Sequence, residues 1–83
     1  MKNNLKKNTF LIASHVFNEN IKKINLNSNM KNIKNWDSVS HLNFLFSLEK
    51  EFGIDFDPMT IVKLTSIKNI INYISKQKKT FGT

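Results

Sequence analysis

Residues 35–56 read NWDSVSHLNFLFSLEKEFGIDF, and this stretch decides the fold. Its apolar side chains recur every three or four positions, which is the spacing of one face of an α-helix. Asp37 or Ser38 is suited to cap the start of that helix, and Gly53 is suited to end it. The face predicted to be buried consists of Leu42, Phe44, Leu45, Leu48 and Phe52.

Helical and loop patterns also mark the segments that precede this helix. Residues 5–17 place their apolar side chains within a little under half of a helical wheel, which predicts an amphipathic helix. Residues 18–35 are rich in Asn and Lys, but their recurring apolar residues predict a long loop tied to the core rather than a disordered linker. The side chains expected to tie this loop down are Ile21, Ile24, Leu26, Met30 and Ile33.

Two more helices are predicted after Gly53. Asp57 followed by Pro58 is an N-cap before a first-turn proline, and it opens a short helix that ends near residue 63. Thr65 or Ser66 caps a final helix with an isoleucine-rich face, and the residues after Ser75 are expected to fray. Three longer helices and one short helix therefore predict an all-α four-helix bundle.

The length and composition of the chain limit what it can do. Its 83 residues predict one domain over 1–83, with basic tails at about 1–4 and 76–83. A domain of this size buries only about 60% of its unfolded surface, so we expect no deep catalytic cleft and no enzyme. There is no cysteine, which excludes disulfides and thiolate metal sites. No apolar run approaches the roughly 20 residues of a membrane span, and no signal peptide is recognised, so the expected location is the cytoplasm.

The formal net charge of +7 raises the possibility of a nucleic-acid partner. However, residues 35–62 carry five acids against one Lys, while the basic residues are spread over the rest of the chain. All thirteen cations are Lys, although Arg is the preferred reader of phosphates and bases. We therefore expect no nucleic acid as partner, and a basic nucleic-acid binder stays open as an alternative.

Ser38 stands at the first turn of the predicted central helix, after an Asn- and Lys-rich loop. The free N–H groups and the positive end of the helix dipole stabilise a phosphate attached at such a position. A plainer interpretation is that Asp37 or Ser38 only caps the helix. The three residues Asp37, Ser38 and Val39 do not decide between these interpretations by themselves.

The segment from Trp36 to Ile74 resembles the acyl carrier protein family. In that family a W/A-D-S-L motif starts the second helix, an E-x-E-F-G-I-like run ends it, and a short helix precedes an apolar last one. The matching residues here are Trp36, Asp37, Ser38, Val39, Leu42, Leu45, Leu48, Glu49, Glu51, Phe52, Gly53, Ile54, Thr65, Ile67 and the run from Ile70 to Ile74. The ordered set with its spacing carries the resemblance, whereas the first helix and the loop match in pattern only.

The resemblance implies a carrier that is modified on Ser38. A phosphopantetheinyl transferase would attach 4′-phosphopantetheine from coenzyme A there, and Asp37 would help to orient that enzyme or its metal. The arm would hold acyl or aminoacyl groups as thioesters, which fits a chain without cysteine. The enzymes that load and unload the arm would be the partners of this phosphoprotein, in fatty acid or secondary metabolite biosynthesis, and a monomer is expected.

Two sets of residues are predicted to serve the partners and the cargo. A docking set, on or beside the central helix, comprises Trp36, Val39, Asn43, Phe46 and Lys50. The chain is basic where the family is usually acidic, so a specialised pathway with its own partners is favoured. The cargo-facing core is predicted to comprise Phe44, Leu45, Phe52, Phe56, Ile61, Leu64 and Ile70. Their bulk favours a short or polar cargo, and the same residues also suit an ordinary core.

Other interpretations are kept beside the carrier. A bundle of this fold that no longer carries an acyl group could serve as an interaction module that binds a partner protein through Val39 and Phe46. Asp37, Ser38 and His41 have the residue types of a hydrolytic triad, but three groups within one turn leave no room for an oxyanion hole. The acids at 49, 51, 55 and 57 could attract a weak surface cation, although they lack the loop of a dedicated calcium site.

Overall fold

The computed structural model describes the backbone of residues 4–82 and the side chains of residues 5–77. Within this part of the chain there are four α-helices and one short 3₁₀ helix, which confirms the predicted all-α bundle. The α-helices are α1 (Asn4–Phe17), α2 (Ser38–Phe52), α3 (Pro58–Lys63) and α4 (Ile67–Gly82), and the 3₁₀ helix covers Ile21–Lys23. None of the described helices is long and apolar enough to cross a membrane.

The boundaries of α2 are fixed by the residues that the sequence pattern indicates. Asp37 is the N-cap, with extended backbone, and its Oδ1 accepts a hydrogen bond of 2.9 Å from the backbone N–H of Ser40. Gly53 ends the helix in the left-handed conformation, at φ 65°, and its N–H donates to the carbonyl of Glu49. This cap favours glycine because a side chain strains the left-handed backbone.

The caps of α3 and α4 also follow the sequence, but the end of α4 does not. Asp57 accepts from the backbone N–H of Thr60 at 2.8 Å, and the hydroxyl of Ser66 accepts from the N–H of Asn69 at 3.2 Å. The sequence pattern ends the last helix near Ser75, whereas the backbone of α4 continues to Gly82, and the fraying of this end stays a prediction. Lys and Gln favour helix, and no Gly or Pro interrupts the chain before Gly82.

An aromatic cluster at the centre of the bundle joins α1, the loop and α2. The ring of Phe17 stacks on Trp36 with centroids 4.7 Å apart, and Phe44 meets both rings edge-on at 5.1 and 5.6 Å. The other buried apolar residues are Ala13, Ile24, Ile33, Leu45, Leu48, Ile54, Phe56, Leu64, Ile67, Ile70 and Ile74. Leu42 was predicted to belong to this core, but the structure leaves it 41% exposed.

The long loop is tied to the bundle by its backbone and by some of its apolar side chains. The Met30 N–H donates to the Thr65 carbonyl, and the Ser28 carbonyl accepts from the Ile67 N–H, so the loop pairs with the start of α4. Ile24 and Ile33 are buried and Met30 is partly buried, as predicted. Ile21 and Leu26 are exposed instead, so the prediction is wrong for these two.

Candidate functional site

The Ser38 side chain is exposed at the first residue of α2, where the helix presents its free N–H groups. Among the described residues, no group forms a hydrogen bond with its hydroxyl. The oxygen is therefore accessible to a modifying enzyme, and the helix terminus behind it favours a negatively charged group.

Asp37 places a carboxylate beside this hydroxyl. The backbone N–H of Ser40 donates to Asp37 and holds the pKa of this carboxyl below its ordinary value, with a smaller contribution from the Ser40 hydroxyl. Asp37 is thus ionised at neutral pH, and one of its oxygens already caps the helix. Asp37 is itself exposed, so its carboxylate is accessible from solvent.

Trp36 does not belong to an exposed docking surface, contrary to the prediction. Its side chain is only 2% exposed, and its indole Nε1–H donates to Nδ1 of His41 at 2.9 Å. The burial follows from contacts that link distant parts of the chain, because Trp36 stacks on Phe17 of α1. The residue directly before the site therefore anchors the site to the core.

His41 is buried, and both of its ring nitrogens form hydrogen bonds. Since Nδ1 accepts from Trp36, Nε2 carries the hydrogen and donates to the Ile61 carbonyl of α3 at 2.7 Å. Neither nitrogen is free to take a proton from Ser38. This geometry removes the hydrolytic triad as an interpretation.

Large exposed apolar residues lie on α2, which begins at Ser38, and on the short helix α3. Val39 and Phe46 are exposed on α2, as predicted, together with Asn43 and Lys50. The structure adds Leu42 on α2 and Met59 and Val62 on α3, which sequence reasoning missed. We call these seven residues the docking surface. The sequence signal for Leu42 was its place three residues after Val39, which sets both on one helix face.

The residues predicted to face the cargo lie within the core. Phe44, Leu45, Phe56, Leu64 and Ile70 are buried, while Phe52 and Ile61 are partly buried. The Phe44 ring contacts Phe17 and Trp36, so this residue packs toward α1 and the loop.

Two open cavities lie elsewhere on the surface. One, of about 380 Å³, lies between α1 and α2 near Leu11 and Ser47, and the other, of about 470 Å³, lies beside Met30 and Thr65. Neither cavity is lined by Ser38 or by any residue predicted to face the cargo.

Three of the four carboxylates at positions 49, 51, 55 and 57 have separate structural partners. Glu49 accepts from the backbone N–H of Phe56 at 2.8 Å, Glu51 accepts from the Asn8 amide, and Asp57 caps α3. Within the described residues, no three His, Cys, Asp or Glu side chains are grouped so that they could hold a metal ion.

Known proteins resemble this chain in sequence and in fold. Residues 12–74 match the family described as phosphopantetheine attachment site. An acyl carrier protein of Rickettsia bellii (strain RML369-C) is 29% identical over 58 residues, which cover 70% of this chain and 67% of that protein. An acyl carrier protein of strain OSU 85-389 is 33% identical over 42 residues, which cover 51% of this chain and 52% of that protein.

A solved structure shows the same fold. The solution structure of the apo doublet acyl carrier protein from prodigiosin biosynthesis matches with a TM-score of 0.74 at 21% identity. The match covers 90% of this chain and 36% of that chain. This chain thus spans about a third of the doublet and about half of the second Rickettsia relative.

Proposed function

The chain belongs to the phosphopantetheine attachment site family of carrier proteins, and we propose that Ser38 is the residue that receives the arm. Members of this family carry a 4′-phosphopantetheine prosthetic group and are carriers, not catalysts. The observation that carries the proposal is the exposed Ser38 hydroxyl at the start of α2, next to the ionised Asp37.

The residues at this end of α2 fit a phosphodiester. In the transfer, the Ser38 oxygen would form a bond to the phosphorus next to pantetheine in coenzyme A as the pyrophosphate bond breaks. Adenosine bisphosphate would leave, and the hydroxyl proton would pass to a base of the transferase or to solvent. The phosphate on Ser38 would lie at the positive end of the helix, where a negative charge is stabilised. The exposed carboxylate of Asp37 is placed to orient the transferase or its metal.

The chain's own residues hold the attachment point but do not supply the reactive group. The arm, when bound, would supply a terminal thiol that holds acyl or aminoacyl groups as thioesters. A chain without cysteine has no thiol of its own to compete for those groups. Ile61 and Ile70 occupy the interior with bulky side chains, which supports a short or polar cargo.

Carrier proteins interact with phosphopantetheinyl transferases and with biosynthetic enzymes, and the docking surface is the part of this chain that we assign to these contacts. Members of the family usually have an acidic second helix, whereas the one ionisable side chain of the docking surface here is the basic Lys50. Enzymes with basic docking faces should bind it weakly. We therefore propose a specialised biosynthetic pathway, in which the chain acts as one carrier domain, a cytoplasmic monomer.

The test is the mass of the protein after incubation with coenzyme A, magnesium and a promiscuous phosphopantetheinyl transferase. We expect the wild-type chain to gain the mass of one phosphopantetheine. Ser38→Ala should fold and gain none, while Ser40→Ala, the matched variant at the nearest other hydroxyl, should still be modified. An unmodified wild-type chain, or a modified Ser38→Ala, would refute the assignment.

A second function is supported by the exposed Val39 and Phe46, which also suit an interaction module that has lost carriage. Mass spectrometry of the protein from its native cell separates the two functions. A carrier is expected to retain the arm, and a pure interaction module is expected to have the unmodified mass.

A further inference from the structure

Two hydrogen bonds of His41 link Trp36, which precedes α2, to the end of α3. Trp36 donates to Nδ1 at 2.9 Å, and Nε2 donates to the Ile61 carbonyl at 2.7 Å. The indole and imidazole rings also lie nearly parallel, with centroids 5.9 Å apart. One buried side chain thus connects the loop, α2 and α3 within a single turn of Ser38.

The Ile61 carbonyl is one of the last four carbonyls of α3, which have no partner within a helix. Two others of this group, those of Thr60 and Lys63, accept from backbone N–H groups just after the helix. The Ile61 carbonyl has its partner in His41 instead. Because Nε2 bonds a terminal carbonyl of α3, His41 acts as a C-terminal cap supplied by another helix.

α3 depends on such contacts with the rest of the protein. It has six residues, about half of the length at which an isolated helix becomes even marginally stable in water. None of its residues is fully buried, and Ile61 is its partly buried contact with the core. The bond from His41 therefore fixes the position of α3 against the first turn of α2.

We infer that His41 is a positioning residue that holds α3, with its exposed Met59 and Val62, against the first turn of α2 and so brings together the two helices of the docking surface. The part of this inference that concerns enzymes rests on the proposed function, because the docking surface matters only if enzymes act at Ser38. The part that concerns the position of α3 rests on the hydrogen bonds of His41 alone. A wholly apolar side chain at position 41 would fill the space but would not hold α3.

The first test compares His41→Leu and His41→Gln with the wild type. Leu removes both hydrogen bonds, whereas the Gln amide has both an acceptor for Trp36 and a donor for Ile61. In His41→Leu we expect the backbone amides of α3 to exchange about tenfold to a hundredfold faster, relative to those of α4. His41→Gln should restore most of this protection, and His15→Leu, at an exposed histidine of α1, should leave it unchanged.

The second measurement follows the transfer of phosphopantetheine to Ser38. We expect the initial rate to fall in His41→Leu and to recover in His41→Gln. Unchanged exchange of the α3 amides in His41→Leu, or an unchanged transfer rate, would overturn the inference. A wild-type chain that accepts no arm refutes the proposed function instead, and the exchange comparison still decides what His41 does in the fold.

A third measurement needs no variant and covers the case in which His41→Leu does not fold. The ¹⁵N shifts of the His41 ring in the wild-type protein report which nitrogen carries the hydrogen. The structure requires hydrogen on Nε2 and none on Nδ1. A ring with hydrogen on Nδ1, or a mixture of the two neutral forms, contradicts the hydrogen-bond chain.

Discussion

Phe44 and Phe46 lie two positions apart on α2 and form a matched pair of aromatic residues on opposite sides of its surface. Phe44 is fully buried, and its ring centroid lies 5.1 Å from Phe17 and 5.6 Å from Trp36. Phe46 is 50% exposed and belongs to the docking surface. We predict that substitution of Phe44 lowers the free energy of unfolding strongly, whereas Phe46→Ala changes it little.

The size of the difference follows from burial. Replacing a core Phe by Ala costs about 3–5 kcal/mol, while an exposed substitution stays within about 0.5 kcal/mol. At about 0.05–0.15 kcal/mol per residue, a domain of 83 residues has roughly 4–12 kcal/mol in total. Phe44→Ala would therefore remove much of the stability. Phe44→Leu removes three of the six carbon atoms that Phe44→Ala removes, so it should cost about half as much, about 1.5–2.5 kcal/mol, and it leaves more of the stability to measure.

Urea unfolding followed by fluorescence measures the effect, because Trp36 is buried and is the single tryptophan. With a slope of about 1 kcal/mol per molar urea, Phe44→Leu should lower the unfolding midpoint by about 1.5–2.5 M. Phe46→Ala should lower it by at most about 0.5 M. Equal midpoint shifts for Phe44→Leu and Phe46→Ala would refute the assignment of the two faces of α2.

Two further predictions concern the ends of α2. The hydrogen bonds of the N-terminal cap hold the pKa of Asp37 below its ordinary value of 3.8. The ionised Asp37 therefore stabilises the folded protein above pH 3.8, and this stabilisation is lost as the pH falls through the folded-state pKa. Asn at position 37 does not ionise, so the urea midpoint of Asp37→Asn should depend less on pH between about 5 and 2 than the midpoint of the wild type. Gly53→Ala should lower the free energy of unfolding by about 1–2 kcal/mol in the same assay, because Gly53 has a left-handed backbone that strains any side chain. The space around a Cβ at this position is open, so backbone strain is the cause being tested. An unchanged urea midpoint would contradict this explanation.

The helices could be predicted from the sequence because their signals are local. Asp37, Asp57 and Ser66 cap helices through backbone groups within three residues, and Gly53 follows the last apolar residue of α2. The exposure of Ser38 was implied by its place at a helix start. Local chemistry of this kind is visible in a window of a few residues.

The errors come from contacts between distant residues. Trp36 is buried by Phe17, nineteen positions away in the sequence, and by its bond to His41. The bond between His41 and Ile61 joins two helices, and no local pattern indicates it. The helical wheel placed Leu42 in the core because a wheel gives the direction of a side chain, whereas exposure depends on whether another element covers that direction.

The burial of Trp36 and the exposure of Ser38 have a common structural cause. Asp37 between them has an extended backbone, at φ −108° and ψ −172°, and successive side chains of an extended chain point in opposite directions. With Trp36 fixed in the core, Asp37 is directed outward, where it caps α2, and Ser38 follows it as the first residue of the helix. His41, one turn later on α2, is buried again, and its Nδ1 accepts the hydrogen bond from the indole of Trp36. A change at Trp36 should therefore disturb the presentation of Ser38 even though Trp36 is not on the surface that a transferase meets.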